Sequence, residues 1–220
     1  MKKRSRLEGE SCEGQEECTN ESEEVLGSTT FAFPFVDDPR IVGMYGDVDE
    51  AHAAETIHAM LQMKETAREE VQDEETGETI TVHKPFEFMI STWGGVAQDA
   101  FAIYDIMRMV KETCDIHTFG IGKVMSAGVL LLAAGTKGKR KIGANCRVML
   151  HGVMGASHGA IHNLENEMEE IRWVQKQYIQ ALVAESDMSE KHLKRLLGKK
   201  IDVYLTAEEA VDLGIADEIV

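Results

Sequence analysis

Apolar residues along the chain fall into two patterns, short continuous runs and longer stretches in which they recur at helical spacing. The short runs, which are typical of buried strands, cover residues 41–45, 86–91, 116–121 and 146–150. The longer stretches, which predict helices, cover residues 48–66, 97–111, 126–134 and 161–185. The last of these has an apolar stripe made of Ile161, Leu164, Met168, Ile171, Tyr178 and Leu182. Because strands and helices alternate, the sequence predicts an α/β fold with a largely parallel sheet.

A polar stretch interrupts this alternation between the first helix and the second strand. Residues 69–78 are rich in acidic side chains and contain Thr76 and Gly77, a pair typical of turns. Residues 79–82 then alternate between apolar and polar types, as a half-buried strand does. We therefore expect a β-hairpin at this point.

The N-terminal segment differs in composition from the rest of the chain. Residues 8–24 hold eight glutamates and no basic residue. Such a segment buries too little apolar surface to offset the entropy that ordering costs, so we predict a disordered acidic tail over residues 1–28. Residues 29–220 then form the folded domain. The alternative for the tail is a docking or targeting peptide.

The overall charge narrows the choice of partners. The chain has 23 Lys and Arg residues against 39 Asp and Glu residues, which gives a formal net charge of −16. Because that charge repels phosphate backbones and anionic lipids, we expect neither a nucleic acid nor a membrane as a partner. The longest apolar run, residues 127–135, is far shorter than the about 18 residues that span a bilayer.

The N-terminus and the cysteines bear on the cellular compartment. Residues 2–4 are basic, as at the start of a signal peptide, but an acidic polar stretch follows them instead of an apolar one. We therefore expect a cytoplasmic protein with reduced thiols. The cysteines lack the spacing of metal ligands, so we expect no metal site: they are Cys12, Cys18, Cys114 and Cys146.

Candidate chemistry follows the ends of three predicted strands. Gly94 and Gly95 follow one strand, Ser126 a second and His151 a third, and α/β proteins present their sites at these strand ends. A serine at a strand-to-helix turn lies where backbone N–H groups favour a developing negative charge. Each signal alone is weak, because such a serine is usually a helix cap, a glycine pair a turn, and such a histidine a core residue. Composition alone cannot choose an acidic partner for the histidine.

Longer motifs resemble one known family. Residues 122–140, GKVMSAGVLLLAAGTKGKR, resemble the nucleophile segment of the ClpP family, the proteolytic subunits of the Clp protease. Residues 145–151, NCRVMLH, resemble its histidine strand, at the family's own spacing from the serine. Residues 207–217 resemble its C-terminal stretch, and the family's acidic residue just upstream corresponds to Asp202. The resemblance runs from residue 40 to residue 220.

The resemblance implies a function and a set of site residues. It implies a serine endopeptidase in which Ser126 is the nucleophile, His151 the general base and acid, and Asp202 the residue that orients the imidazole. The backbone N–H groups of Gly95 and Ala127 would form the oxyanion hole. Hydrolysis would proceed through an acyl-enzyme and require no cofactor.

The resemblance also implies an architecture. The fold would be a ClpP/crotonase-like spiral of β-β-α units, with a protruding handle helix at about residues 161–186. Subunits would form a homo-oligomer of two stacked rings around a chamber that admits peptides and unfolded proteins. Residues 152–159 would pair across the ring interface and lie beside bound peptide. The sequence has no P-loop, so ATP would act only through an AAA+ unfoldase partner, and residues 1–38 do not resemble the family segment that engages it.

The sequence departs from the family pattern in places and leaves alternatives open. Trp93 stands where the family has proline, Gly152 and Val153 stand for Gln-Pro, and the acidic hairpin is an insertion. One alternative is a crotonase-fold enzyme acting on acyl-CoA thioesters, which would not need a Ser-His-Asp triad. Another is a Ser-Lys peptidase with Lys123 as the base. A third is an inactive structural ring subunit.

Overall fold

The computed structural model describes residues 39–72, 77–199 and 201–220, and all of them lie in one compact unit. The predicted acidic tail and its boundary at residue 28 lie outside these residues, as does Thr76 of the predicted turn. The described strands are β1 (Ile41–Val48), β2 (Arg68–Gln72), β3 (Thr79–His83), β4 (Phe86–Gly95), β5 (Ile116–Met125), β6 (Lys141–Ile142), β7 (Arg147–Leu150), β8 (Val203–Leu205) and β9 (Glu218–Ile219). The described helices are α1 (Glu50–Thr66), α2 (Ala97–Lys111), α3 (Ala127–Ala133), α4 (Ile161–Glu185), α5 (Glu190–Leu197) and α6 (Ala207–Asp212).

A mainly parallel sheet forms the centre of the molecule, as the alternation of strands and helices predicts. Strands β1, β4, β5, β6 and β9 are neighbours in that order and run parallel, and β7 pairs in parallel with β5. Only β8, which pairs with β7, is antiparallel within the described part of this sheet. The predicted hairpin is confirmed as β2 and β3, which form a separate antiparallel pair.

Strand β5 changes partner half-way along its length. Its first half pairs with β6 at Phe119 and Gly120, and its second half pairs with β7 from Lys123 to Met125. The change coincides with an irregularity in the pairing with β4 and with Gly122, which has a φ of 65° that glycine adopts without steric cost. The sequence predicts a strand that stops at residue 121, whereas in the structure β5 continues past this irregularity to Met125.

The core lies between the sheet and the helices packed on it. Helix α3 is buried along its whole length, and Leu130, Leu131 and Leu132 are each 0% exposed. Each such side chain contributes about 1.5–3 kcal/mol when removed from water. The helix therefore has a fixed position against β4 and β5, and the residue before it, Ser126, is held with it.

Helix α4 has two different halves. Its C-terminal half is packed into the core through Tyr178 and Leu182, among others. Every residue in its first ten positions is exposed, including Ile161, Leu164 and Met168 of the apolar stripe that the sequence predicts. The apolar side chains of this first half therefore do not belong to the core of the described residues.

Sequence patterns predicted the longer elements and missed short ones. Both α2 and α4 have the predicted bounds, and β1 and β4 continue a few residues further than predicted. Helix α5, strand β8 and helix α6 were not predicted, because three to eight residues are too few to establish a periodicity. No helix of the described residues combines the length and the apolar character needed to cross a bilayer.

Candidate active site

The sheet brings the three sequence-predicted positions together. Strand β4 ends in Gly94 and Gly95, β5 leads directly into Ser126, and β7 leads into His151. Because β7, β5 and β4 are successive parallel neighbours, their carboxyl ends meet at one edge of the sheet. The outermost of these residues, Gly94 and His151, are 57 positions apart along the sequence.

Ser126 occupies a strained turn between β5 and α3. Its φ of 53° makes it the only non-glycine residue with positive φ in the described part of the chain. Such a conformation costs about 1–3 kcal/mol and persists only where neighbours enforce it. Here the Ser126 N–H donates to the carbonyl of Met149 on β7 at 2.8 Å. The turn lifts the side chain off the end of the strand, towards the neighbouring strand ends.

Gly94 leaves room for the serine. A Cβ atom added at Gly94, where φ is 89°, would lie 2.6 Å from Ser126 Cβ and 2.8 Å from the Met125 carbonyl oxygen. The Gly94 N–H donates to the hydroxyl of the buried Thr92 at 2.9 Å, which fixes the glycine in place. The glycine pair therefore does more than form a turn, because its missing side chain is what lets the serine fit.

Ser126 and His151 form a hydrogen-bonded pair. The distance between Ser126 Oγ and His151 Nε2 is 2.7 Å, which is within the range for an O–H donating to an imidazole nitrogen. With Nε2 as the acceptor, a neutral imidazole carries its proton on Nδ1. This is the arrangement in which a histidine can take the hydroxyl proton.

Asp202 is not hydrogen-bonded to this pair. Its carboxylate is exposed, and no hydrogen bond joins it to His151 or to another residue that the structure describes. It nevertheless precedes β8 directly, and β8 pairs antiparallel with β7 so that Val203 lies opposite Leu150. The next pair in this register, just beyond the ends of the two strands, is His151 and Asp202. The structure brings two of the three predicted catalytic side chains into contact and leaves the third beside them.

Of the predicted oxyanion-hole residues, Ala127 directly follows Ser126, and Gly95 directly follows Gly94, which lies against Ser126. Ala127 is the first residue of α3, so its N–H has no acceptor within the helix. Gly95 lies against β1, where an added Cβ would come 2.1 Å from the Val48 carbonyl oxygen, so no side chain fits. The direction of these N–H groups towards a bound carbonyl stays a prediction.

Lys123 does not take the place of the histidine. Its ammonium group lies over the ring of Trp93, 4.9 Å from the ring centroid, and its side chain is partly exposed. The hydrogen-bond partner of Ser126 Oγ is His151. The geometry therefore favours a Ser-His pair over the Ser-Lys alternative.

Sequence reasoning missed the contribution of Tyr178. The helical spacing identified it only as one of the apolar residues on α4. In the structure its hydroxyl donates to the carbonyl oxygen of Ser126 at 2.8 Å, and burial raises its pKa far above the ordinary value of 10.0. No local pattern signals a contact between residues 52 positions apart.

Among the residues that the structure describes, no three His, Cys, Asp or Glu side chains converge as ligands of a metal ion would.

The family model described as Clp protease matches residues 32–220 of the chain. With the mainly parallel sheet and its helices, this match confirms the ClpP/crotonase-like α/β fold.

Proposed function

The chain belongs to the Clp protease family, and we propose on this basis that it is a serine endopeptidase with Ser126 as its nucleophile. As a Clp protease it is a peptidase, so the bond that it hydrolyses is a peptide bond. The observation that carries the proposed mechanism is the 2.7 Å contact between Ser126 Oγ and His151 Nε2. A serine hydroxyl attacks a carbonyl only when a base accepts its proton, and this contact supplies the base.

The proposed reaction has two halves. Ser126 Oγ attacks the peptide carbonyl carbon while its proton passes to His151 Nε2, and His151 then donates that proton to the leaving amine as the C–N bond breaks. A water molecule next attacks the acyl-enzyme and transfers a proton to His151. His151 then returns that proton to Ser126 Oγ as the ester bond breaks, which releases the second product. Neither half requires a cofactor.

The remaining site residues support the charges that develop. In the proposal, the N–H groups of Gly95 and Ala127 donate to the oxyanion of each tetrahedral intermediate. Asp202 accepts the His151 Nδ1–H and so favours the required tautomer. The support for Asp202 is its position one step beyond the Val203–Leu150 pair, where the register places it opposite His151.

We further propose that the peptidase works as a ring assembly. Family membership suggests oligomeric rings and protein substrates. The exposed apolar residues on the first half of α4 favour a contact between subunits, since Ile161 is 71% exposed and Met168 is 47% exposed. Any use of ATP would depend on a separate AAA+ unfoldase.

A fluorophosphonate probe tests the proposed nucleophile directly, because only a serine activated by its base reacts with it rapidly. We expect a stoichiometric adduct on Ser126, located by peptide mass spectrometry, together with hydrolysis of an unstructured protein. Ser126→Ala should lose both while keeping the particle mass of the wild type. Ser189→Ala is the matched control, because Ser189 caps α5 and has no part in the proposed reaction. This variant should still be labelled at Ser126 at the wild-type rate. An assembled wild-type particle with no adduct on Ser126 would refute the proposal.

A further inference from the structure

The hydroxyl of Tyr178 links helix α4 to the backbone of the proposed nucleophile. Tyr178 is 7% exposed, and its Oη donates to the Ser126 carbonyl oxygen at 2.8 Å. The same carbonyl accepts a second hydrogen bond from the Val129 N–H at 3.0 Å. The Val129 bond lies within the first turn of α3 and moves with that turn. The Tyr178 bond comes from another element and fixes the turn relative to the rest of the subunit.

The carbonyl of Ser126 and the N–H of Ala127 belong to one peptide unit. That unit is planar and trans, so its C=O and N–H point in opposite directions and rotate together. A hydrogen bond that fixes the carbonyl therefore also fixes the direction of the N–H. Because Ser126 is in a strained conformation with φ 53° and ψ −121°, the unit needs such an external restraint more than a relaxed peptide would.

We propose that Tyr178 is a positioning residue, which aims the Ala127 N–H at the oxyanion by holding the opposite end of the same peptide unit. This proposal rests on the proposed function, in which Ala127 contributes to the oxyanion hole. The Tyr178 hydroxyl donates to the Ser126 carbonyl oxygen, whereas Ser126 Oγ is hydrogen-bonded to His151, so the proposed role of Tyr178 is exerted through the backbone. Burial keeps the phenol protonated and hence a donor over the working pH range, since it raises the pKa of Tyr178.

The test compares Tyr178→Phe with a matched control, Tyr104→Phe. Tyr104 is also buried, and its hydroxyl donates to Glu185 Oε1 at 3.0 Å, away from the site. Both variants delete one buried phenolic hydrogen bond, but only the first frees the Ser126 carbonyl. We expect kcat to fall about 10- to 100-fold in Tyr178→Phe, somewhat less than when an oxyanion donor is removed outright. KM and the pH midpoint of kcat should stay at the wild-type values, and Tyr104→Phe should keep wild-type kcat.

Two additional measurements separate positioning from a general loss of structure. A peptide boronate mimics the tetrahedral intermediate, so its inhibition constant should rise in Tyr178→Phe by the same factor as kcat falls. Replacing Tyr178 by p-aminophenylalanine restores an N–H donor and should restore kcat, whereas p-methylphenylalanine has a similar size and should not. These two variants decide the question even if Tyr178→Phe fails to assemble.

The outcomes distinguish this proposal from the proposed function. If the wild type is active and Tyr178→Phe has the wild-type kcat, the positioning role alone is overturned. The same holds if the p-amino and p-methyl variants have the same kcat as each other. A change in KM at constant kcat would overturn it as well, because it would show that Tyr178 affects ground-state binding. A wild-type particle that neither hydrolyses peptides nor labels at Ser126 would overturn both proposals.

Discussion

The contact between Gly94 and Ser126 allows a quantitative prediction for Gly94→Ala. The added Cβ would lie 2.6 Å from Ser126 Cβ, 2.8 Å from the Met125 carbonyl oxygen and 3.1 Å from the Ala127 nitrogen. Carbon atoms pack best at about 3.5–4.0 Å, so the first contact is about 1 Å too short. Two of the three obstructing atoms belong to the backbone and cannot rotate away. The turn that carries the nucleophile must therefore shift.

The cost of this substitution has two parts that a matched control can separate. Alanine at positive φ costs about 1–2 kcal/mol, and overpacking a filled site costs about 1–3 kcal/mol more. Gly138 has a φ of 81°, close to the 89° of Gly94, but nothing lies within 4 Å of an added Cβ. Gly138→Ala should therefore lower the free energy of unfolding by about 1–2 kcal/mol, and Gly94→Ala by about 2–5 kcal/mol.

The assay combines denaturant unfolding at equal protein concentration with the rate of fluorophosphonate labelling at Ser126. We expect Gly94→Ala to label about 100-fold more slowly, because a small displacement of a nucleophile has an effect of that size. Gly138→Ala should label at the wild-type rate. If Gly94→Ala labelled as fast as Gly138→Ala, the close approach of Gly94 would not be what positions the serine.

Two other predictions address Asp202 and the Arg140–Asp217 ion pair. Asp202→Asn should lower kcat about 10⁴-fold at unchanged particle mass if Asp202 orients His151, and a nearly normal kcat would mean that another acid, such as Glu208, takes that role. Burial alone would raise the pKa of Asp217, but its hydrogen bonds with the buried Arg140 outweigh this effect and hold the pKa below 3.8. The pair therefore stabilises the fold above pH 3.8 and ceases to do so as the pH falls through the lower pKa of the folded state. Asp217→Asn should accordingly lower the free energy of unfolding by about 3 kcal/mol at neutral pH, and a difference from wild type that persisted fully in strong acid would contradict this account.

The sequence identified the positions of the candidate site because they lie at the ends of elements. The apolar runs placed Gly94, Ser126 and His151 after strands, and parallel strands present such residues at one edge of a sheet. The long motifs around Ser126 and His151 then indicated the family. The hairpin of β2 and β3 was also predictable, because its turn pair and its alternating run lie close together in the chain.

The contacts within the site were not predictable in the same way. Asp202 was chosen from the resemblance, and the structure shows it exposed beside His151 without a hydrogen bond between them. The apolar stripe on α4 was predicted correctly as a pattern, but Leu164 and Met168 on it are exposed. Periodicity reports that a helix has an apolar face and says nothing about what covers that face.

By itself, the sequence determined the α/β class, the main helices and strands, and the residues that stand at the strand ends. Each of these depends on neighbours within a few positions, whose spacing is visible along the chain. Only the tertiary structure decided that Tyr178 holds the Ser126 carbonyl, that Gly94 leaves room for the serine, and that β5 continues past Gly122. Such features arise where distant segments pack together, because packing depends on the shapes of both surfaces and local patterns describe only one.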